Sequence, residues 1–258
     1  MVNCVISKLL NLFFPERCVI CDSIMKAPHH GVAICSHCIK TLIFLDTTTT
    51  CRICGCQIDP SQPLCTTCQS HQHYFDRVFS CFPYKDEVRE AILRYKFHKR
   101  RDYCRGFGAL LTKRVAPIHK ACPIDAIVNV PLTKAGFLER GYNQTELLAE
   151  RISRDLSIPF WENAFLKIRE TKKQSLLSYR ERFENIKGAF SLLMPKSSFK
   201  GKHILLVDDV LTTGATADAL SKLLREAGAD RITVVTIATT GKEDIAPVTK
   251  KDELLVTY

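Results

Sequence analysis

The chain has 258 residues, of which 46% are hydrophobic and 25% are charged, and its formal net charge is +10. This length allows one large domain or two smaller ones, each with a buried hydrophobic core. No apolar run approaches the roughly 20 residues that span a bilayer, so we expect no membrane insertion. The N-terminal residues lack the small-residue cleavage pattern of a signal peptide, and we therefore expect a cytoplasmic protein.

Cysteines and positive charge lie in different parts of the sequence. Ten of the thirteen cysteines precede residue 76, whereas residues 76–258 carry a net charge of +9. Because the cytoplasm keeps thiols reduced, a cysteine-rich segment there indicates metal ligation before disulfide bonds. The sequence therefore predicts a cysteine module over residues 1–75, a basic α/β domain over 76–240 and a tail over 241–258. Within the module, residues 3–14 show helical spacing of apolar residues and are predicted to form a short helix.

Eight of the cysteines form four C-x2-C pairs at regular intervals. They are Cys18 and Cys21, Cys35 and Cys38, Cys51 and Cys54, and Cys65 and Cys68. A C-x2-C turn directs two thiolates to one tetrahedral ion at about 2.3 Å, and two such pairs fill every position of a zinc site. We predict two structural zinc sites, paired in sequence order or in a crossed arrangement. A redox or disulfide module is the remaining alternative.

Four further side chains near these pairs are of a type that binds metals: Cys56, His37, His71 and His73. Each set of four thiolates is already complete without them. We therefore expect Cys56 to be a bystander and the three histidines to be solvated surface residues.

A ligand site is predicted where residues 203–217 read HILLVDDVLTTGATA. His203–Val207 has the length and the apolar content of a buried strand. Asp208 and Asp209 follow it, and a Thr/Gly-rich turn at residues 212–216 leads into a helix over residues 217–226. Backbone N–H groups in such a turn, threonine hydroxyls and a helix N-terminus favour a bound phosphate group. The adjacent carboxylates suit sugar hydroxyls or a divalent cation.

The run VDDVLTTGAT resembles the phosphoribosyl pyrophosphate (PRPP) signature of type I phosphoribosyltransferases. The resemblance implies that Asp208 and Asp209 bind the ribose hydroxyls. With Mg2+, they would stabilise the charge that forms as pyrophosphate leaves, which makes them the candidate catalytic residues. The resemblance also implies a site for the 5-phosphate in the turn formed by Thr212, Thr213, Gly214, Ala215 and Thr216.

Other segments complete a doubly wound α/β fold. Residues 125–130 and 232–238 are predicted strands, and residues 145–156 are a predicted helix. Strands that alternate with helices form a parallel sheet, whose ligand site lies at the carboxyl ends of the strands. In type I phosphoribosyltransferases the loop after the first core strand receives pyrophosphate, which makes Lys134 and Arg140 candidate ligands.

Residues 171–190 are polar, basic and only weakly periodic. This pattern predicts a mobile loop that closes over an anionic ligand.

A tetracysteine module before a PRPP signature resembles the ComF family of competence-associated proteins, over nearly the whole chain to about residue 240. The matching stretches include Tyr95-Lys96-Phe97, Arg140-Gly141-Tyr142-Asn143-Gln144 and Arg182-Phe183-Glu184-Asn185. The resemblance adds Lys96 and Arg182 to the candidate PRPP ligands. Two stretches depart from the family: residues 98–101 lack a usual glycine, and Lys172-Lys173 replaces the usual prolines.

The ComF resemblance implies a role in the uptake or processing of single-stranded DNA during natural transformation. It also implies PRPP bound with Mg2+, and zinc ribbons that dock a helicase or another competence protein. The basic stretches at residues 85–120 and 167–187 suit a single-stranded DNA backbone, but solvated helix faces or charge that serves PRPP explain them equally well.

Two other functions stay open. One is a genuine phosphoribosyltransferase that acts on an unidentified acceptor, and the other is a non-catalytic adaptor that senses PRPP. Because the chain divides into two modules, metal removal is expected to unfold residues 18–68 and to leave the α/β domain folded.

Overall fold

The computed structural model describes residues 16–25, 32–169, 171 and 179–241. Within these ranges the strands are β1 (Arg77–Pro83), β2 (Ala126–Asn129), β3 (Phe165–Lys167), β4 (Phe190–Leu192), β5 (His203–Val207), β6 (Val210–Leu211) and β7 (Arg231–Thr239). The α-helices are α1 (Ser36–Thr41), α2 (Thr66–Ser70), α3 (Asp86–Phe97), α4 (Cys104–Ala121), α5 (Lys134–Arg140), α6 (Gln144–Leu156), α7 (Tyr179–Ile186) and α8 (Ala215–Glu226). None of these helices is long and apolar enough to cross a membrane.

The centre of the fold is a parallel sheet with the strand order β1-β7-β5-β2. All neighbouring strands in it are parallel, and β6 pairs with the end of β7. β5 is buried at every position, which is the pattern of a strand covered on both faces. The expected fold class is confirmed: a type I phosphoribosyltransferase-like parallel sheet flanked by helices, preceded by a small tetracysteine module.

The predicted elements around the PRPP signature are confirmed with small changes in length. β5 coincides with the predicted strand, and β2 and β7 correspond to the strands predicted over residues 125–130 and 232–238. α8 begins at Ala215, two residues before its predicted start. The reason is Gly214, whose φ of +79° turns the chain directly into the helix.

Two parts of the structure differ from the sequence expectation. β1 is not among the predicted strands, although its Val and Phe residues favour a strand and it pairs with β7 along most of its length. The prediction of a mobile loop over residues 171–190 is wrong for its second half, where α7 and β4 form. They form because Ile186 and Phe190 bury their side chains. Three predicted segments lie outside the described residues: residues 172–178 of the loop, the helix over residues 3–14 and nearly all of the tail.

The hydrophobic core has one cluster on each face of the sheet. The first cluster joins α3, α4 and α6 and contains Phe107, Leu111 and Leu148. The second joins α7 and α8 and contains Leu220 and Leu224. Residues near the first four cysteines also belong to the first cluster: Val19, Ile20, Val32 and Ile34. The cysteine module therefore shares a core with the α/β domain, while the exact boundary at residue 76 stays a prediction.

Candidate zinc centres and PRPP site

The eight paired cysteines form two clusters in sequence order, and within each the ligand atoms lie within 4.8 Å of one another. The first cluster, ribbon 1, comprises Cys18, Cys21, Cys35, Cys38 and the residues between them. The second, ribbon 2, comprises Cys51, Cys54, Cys65, Cys68 and the residues between them. In both ribbons one sulfur–sulfur distance is 3.7 Å, close to the edge of about 3.8 Å in a tetrahedron with 2.3 Å zinc–sulfur bonds. Each cluster fits a structural zinc ion.

The two ribbons use the same local backbone geometry. Cys35 caps the N-terminus of α1, and Cys65 caps that of α2. The backbone N–H of each capping residue donates to a sulfur of the preceding pair: Cys35 to Cys18 at 3.3 Å, and Cys65 to Cys51 at 3.4 Å. N–H donors and the positive end of a helix both stabilise the thiolate form, which is the form that binds zinc.

The additional candidate ligands divide into two groups. Cys56 is buried within ribbon 2 and lies outside its four-ligand set, as expected. His37 is exposed, also as expected. The expectation of a solvated surface side chain is wrong for His73, because the segment after ribbon 2 packs against α8. The His73 side chain is only 2% exposed there and lies 3.3 Å from the carboxylate of Asp218. His71 is not among the buried residues.

The phosphate turn, residues 212–216, is held between the sheet and the start of α8. Thr240 donates its backbone N–H to Leu211, and its hydroxyl donates to the Thr212 carbonyl at 3.4 Å. The buried Thr213 hydroxyl accepts from the backbone N–H of Ala215, the first residue of α8. The positive φ of Gly214 brings this backbone to the helix N-terminus, an arrangement that binds phosphate through N–H groups.

The two carboxylates after β5 have different surroundings. Asp209 is 5% exposed, and its carboxylate lies 2.7 Å from the ammonium of Lys96 and accepts from the Gln144 amide at 2.6 Å. Burial raises the pKa of Asp209, but the charge and hydrogen bond of Lys96 outweigh burial and hold that pKa below its ordinary value. Burial and the neighbouring Asp209 carboxylate raise the pKa of Asp208 to about 7. Asp209 is thus a carboxylate with a lysine counter-ion, whereas Asp208 holds its proton more tightly.

Two tyrosines bring Lys96 and Gln144 to this carboxylate. The Tyr95 hydroxyl donates to the Gln144 carbonyl at 2.8 Å, and the Tyr142 hydroxyl donates to the Tyr95 carbonyl. Both tyrosines are buried. Because these bonds join the end of α3 to the start of α6, residues about 50 positions apart in the sequence meet at Asp209.

Arg140, at the end of α5, completes the charged part of the site. Its guanidinium stacks over the Phe97 ring at 4.9 Å from the ring centroid, and its positive charge helps to lower the pKa of Asp209. Nε and Nη1 of Arg140 are buried and have no hydrogen-bond partner among the described residues. Buried donors without partners are costly unless an anion binds to them.

Comparison with known proteins supports both parts of the chain. Residues 9–73 match the family model of the double zinc ribbon domain, and residues 146–255 match that of the phosphoribosyl transferase domain. The competence protein F of Haemophilus influenzae is 32% identical over 225 residues, which cover 86% of this chain and 96% of that protein. This chain belongs to the ComF family.

A second member of the ComF family, the DNA utilization protein YhgH of Escherichia coli, is 30% identical over 86% of this chain and 96% of its own length. Among solved structures, the adenine phosphoribosyltransferase of Saccharomyces cerevisiae covers 57% of this chain and 73% of its own. Its identity of 16% and TM-score of 0.35 are too low to support a conclusion about this ComF-family chain.

The remaining candidates of this ComF-family chain lie in different environments. Lys134 is exposed at the first position of α5, and Arg182 is buried in α7. Their roles as PRPP ligands stay predictions. The sequence did not predict a role for Gln144. Its place in the matched stretch Arg140-Gly141-Tyr142-Asn143-Gln144 could have indicated one, but only the fold shows that its amide contacts Asp209.

Proposed function

We propose that this ComF-family protein acts in the cytoplasm in the uptake or processing of single-stranded DNA during natural transformation. Its α/β domain would bind PRPP together with Mg2+. The names of its relatives, competence protein F and DNA utilization protein, support the cellular role. The side-chain geometry at the ends of the sheet strands supports the ligand.

The unpaired guanidinium of Arg140 carries the ligand proposal. Two of its buried nitrogens lack hydrogen-bond partners among the described residues, beside a carboxylate that already has Lys96 as its counter-ion. Two buried hydrogen-bond donors of this guanidinium thus remain available to an anion. Pyrophosphate is an anion of the right kind, since a guanidinium fork binds phosphate oxygens with two parallel hydrogen bonds.

The other proposed roles follow from position. The phosphate turn would hold the 5-phosphate, and Asp208 and Asp209 would hold the ribose hydroxyls. Mg2+ prefers oxygen ligands and keeps several of its waters, so the carboxylate of Asp208 would help to hold it. When bound, the ion would neutralise charge on the leaving pyrophosphate.

Titration calorimetry with PRPP in the presence and absence of Mg2+ tests ligand binding. Arg140→Gln should weaken binding about 10- to 100-fold, the loss expected for a charge-assisted hydrogen bond. Arg154→Gln is the matched control, because Arg154 is exposed near the other end of α6. Unchanged PRPP affinity in Arg140→Gln, or no binding to the wild-type protein with Mg2+, would disprove the proposed site.

Release of pyrophosphate separates an enzyme from a sensor. An acceptor that triggers release from PRPP, with activity lost in Asp209→Ala, would make the protein a phosphoribosyltransferase. PRPP binding without release on any tested base, amine or single-stranded DNA would favour the adaptor.

Direct contact with DNA requires a separate test. The sequence suggests the basic run at residues 99–101, but Arg100 forms ion pairs with Asp22 and Asp102, so its removal would also weaken the contact with ribbon 1. Lys99, Arg101 and Arg105 are exposed and have no ion-pair partner among the described residues.

Their triple alanine variant should reduce the salt dependence of single-stranded DNA binding, measured by fluorescence anisotropy. The expected reduction in slope is about 0.7 for each phosphate group that the protein no longer neutralises. Lys196, Lys200 and Arg154, also exposed, provide a triple variant of equal charge as the control. Equal slopes in the two variants would place the DNA elsewhere, and no binding at low salt would remove DNA contact from the proposal.

A further inference from the structure

A third group of metal-ligating side chains lies outside both ribbons and the PRPP site. It consists of His71 and His73, in the segment between ribbon 2 and β1, and Asp218 in the first turn of α8. One ligand atom from each residue lies within 4.8 Å of the other two. Two parts of the chain about 145 residues apart therefore meet with nitrogen and oxygen donors.

The local backbone explains why both imidazoles lie on the same side. His71 follows α2 in an extended conformation, with φ −128° and ψ 125°. Residues i and i+2 of an extended chain direct their side chains to the same face. The two ring centroids are accordingly 4.7 Å apart.

Asp218 is held in place opposite these rings. Its Oδ1 accepts from the backbone N–H of Tyr74 at 2.8 Å and lies 3.3 Å from Nδ1 of His73. Two ligands of a tetrahedral ion with bonds of about 2.0–2.1 Å are about 3.3–3.4 Å apart. His73 and Asp218 are thus already separated by the distance between two ligands of one zinc ion.

One ring nitrogen of His71, Nε2, is buried without a hydrogen-bond partner among the described residues. The ring's aromatic neighbours are His73 and Phe183, and the Phe183 ring, 5.4 Å away, offers no hydrogen-bonding group. A buried polar atom without a partner costs free energy, and metal coordination by this imidazole would give the ring a polar partner.

We infer that His71, His73 and Asp218 bind a third zinc ion. Two imidazoles and one carboxylate are a ligand set that suits Zn2+, and they leave the fourth position to water. This site differs from the two ribbons, whose four thiolates leave no open position. The ion would tie the segment after ribbon 2 to the helix that begins at the phosphate turn.

Cobalt titration of the full chain, with both ribbons filled with zinc, tests this inference. Co2+ bound by nitrogen and oxygen gives weak visible bands, whereas Co2+ in a cysteine site gives an intense thiolate charge-transfer band. We expect one saturable equivalent of cobalt without the thiolate band, and three equivalents of zinc when zinc is supplied instead.

Matched variants assign the site. His71→Ala should lose the third equivalent while it keeps the contact between His73 and Asp218, so the local fold is preserved. The double variant His71→Ala/His73→Ala should lose it as well, and His37→Ala, an exposed histidine in ribbon 1, should retain it.

Three results would overturn the inference. They are a wild-type protein that holds only two zinc ions and binds no saturable cobalt, cobalt that binds only with the thiolate band, and a third equivalent that persists in the double variant. In each case His73 and Asp218 would form a hydrogen-bonded pair without a metal.

Discussion

Ribbons 1 and 2 have the same ligands and the same N–H···S geometry, but they contact the rest of the protein in different ways. Ribbon 1 contributes Val19, Ile20 and Ile34 to the core that contains Phe107 of α4. The contact is close: a Cβ added to Gly106 of α4 would lie 2.3 Å from Cγ1 of Val19. Ribbon 1 is therefore packed as part of the α/β domain.

Ribbon 2 is packed less deeply than ribbon 1. The buried members of its own cluster are Cys51, Cys56, Cys65 and Cys68, and its contact with the second core cluster is through the partly buried Ile53 and Cys54. The backbone adds a hydrogen bond, in which Val78 of β1 donates its N–H to the Ile53 carbonyl at 2.7 Å. One cavity is lined by Cys54, Cys56, Cys65 and Cys68 together with Thr212 and Thr213 of the phosphate turn.

This difference indicates that the two zinc ions support different properties of the molecule. A zinc ion in ribbon 1 would stabilise a ribbon on which the hydrophobic core depends. A zinc ion in ribbon 2 would stabilise a wall of the cavity beside the phosphate turn. The shared core also changes the expectation for metal removal, because chelation should destabilise the α/β domain as well as residues 18–68.

Loss of a zinc ligand should have the largest effect. Cys18→Ser and Cys51→Ser should each release one zinc ion, and structural zinc contributes on the order of 10 kcal/mol, as much as the whole stability of many domains. We expect Cys18→Ser to lower the melting temperature of the α/β domain strongly. Cys51→Ser should lower it less and should weaken PRPP binding more.

The fluorescence of Trp161 reports this unfolding selectively. It is the only tryptophan in the chain, and it packs against Phe199 in the α/β domain. Cys104→Ser, at the start of α4, is the control that should retain both ions. Equal losses of melting temperature in the two ligand variants would contradict the difference between the ribbons.

The attachment of ribbon 2 is tested next by Gly55→Ala. Gly55 has a φ of +68°, and an added Cβ would lie 2.7 Å from the Val78 carbonyl oxygen, which cannot move without β1. We expect a loss of about 2–4 kcal/mol in the free energy of unfolding, measured by urea denaturation. Gly201→Ala separates the strain of a positive φ from the contact with β1. Gly201 has a φ of +69°, but nothing lies within 4 Å of the added Cβ. If both variants lose the same amount, the contact with β1 contributes nothing.

The packing of ribbon 1 is tested by Gly106→Ala, with an expected loss of about 1–3 kcal/mol. The same substitution in an unobstructed helix would stabilise the protein by about 1 kcal/mol, so the sign of the change is informative. Val19→Ala removes the obstructing methyl groups, and the double variant should therefore be more stable than the sum of the two single losses predicts. Strict additivity would show that α4 and ribbon 1 do not press on each other.

The parts of the site that the sequence predicts are the local ones. The C-x2-C pairs and the run from β5 to α8 depend on residues close together in the chain, and their spacing is sufficient to predict their form. The surroundings of Asp209 depend instead on Tyr95 and Tyr142, which join distant segments by hydrogen bonds to the backbone. No spacing rule shows that Gln144 and Lys96 meet there.

Charge in a sequence likewise does not show what each charged side chain contacts. In the run His98-Lys99-Arg100-Arg101 the sequence alone does not distinguish one basic residue from another. In the structure, Arg100 pairs with Asp22 of ribbon 1, while Lys99 and Arg101 are exposed. Similarly, His71 and His73 look like surface residues until the fold brings Asp218 beside them. In both cases the partner is distant in sequence and becomes visible only in the structure.

The polar attachment of ribbon 1 should have the smallest effect. The Asp22 carboxylate accepts from Arg100 and from the Tyr103 hydroxyl, and so joins ribbon 1 to the start of α4. Arg100→Gln should lower the free energy of unfolding by about 0.5–1 kcal/mol and speed the release of one zinc ion to a chelator. Both effects should shrink in 1 M NaCl, where screening acts over about 3 Å.

Arg151→Gln provides the comparison, because Arg151 pairs with Asp155 within α6 at 2.6 Å and takes no part in ribbon 1. It should cost a similar free energy but leave the rate of zinc release unchanged. Equal rates of zinc release in Arg100→Gln and the wild type would show that apolar packing alone holds ribbon 1, since the ion pair would then add nothing to metal retention.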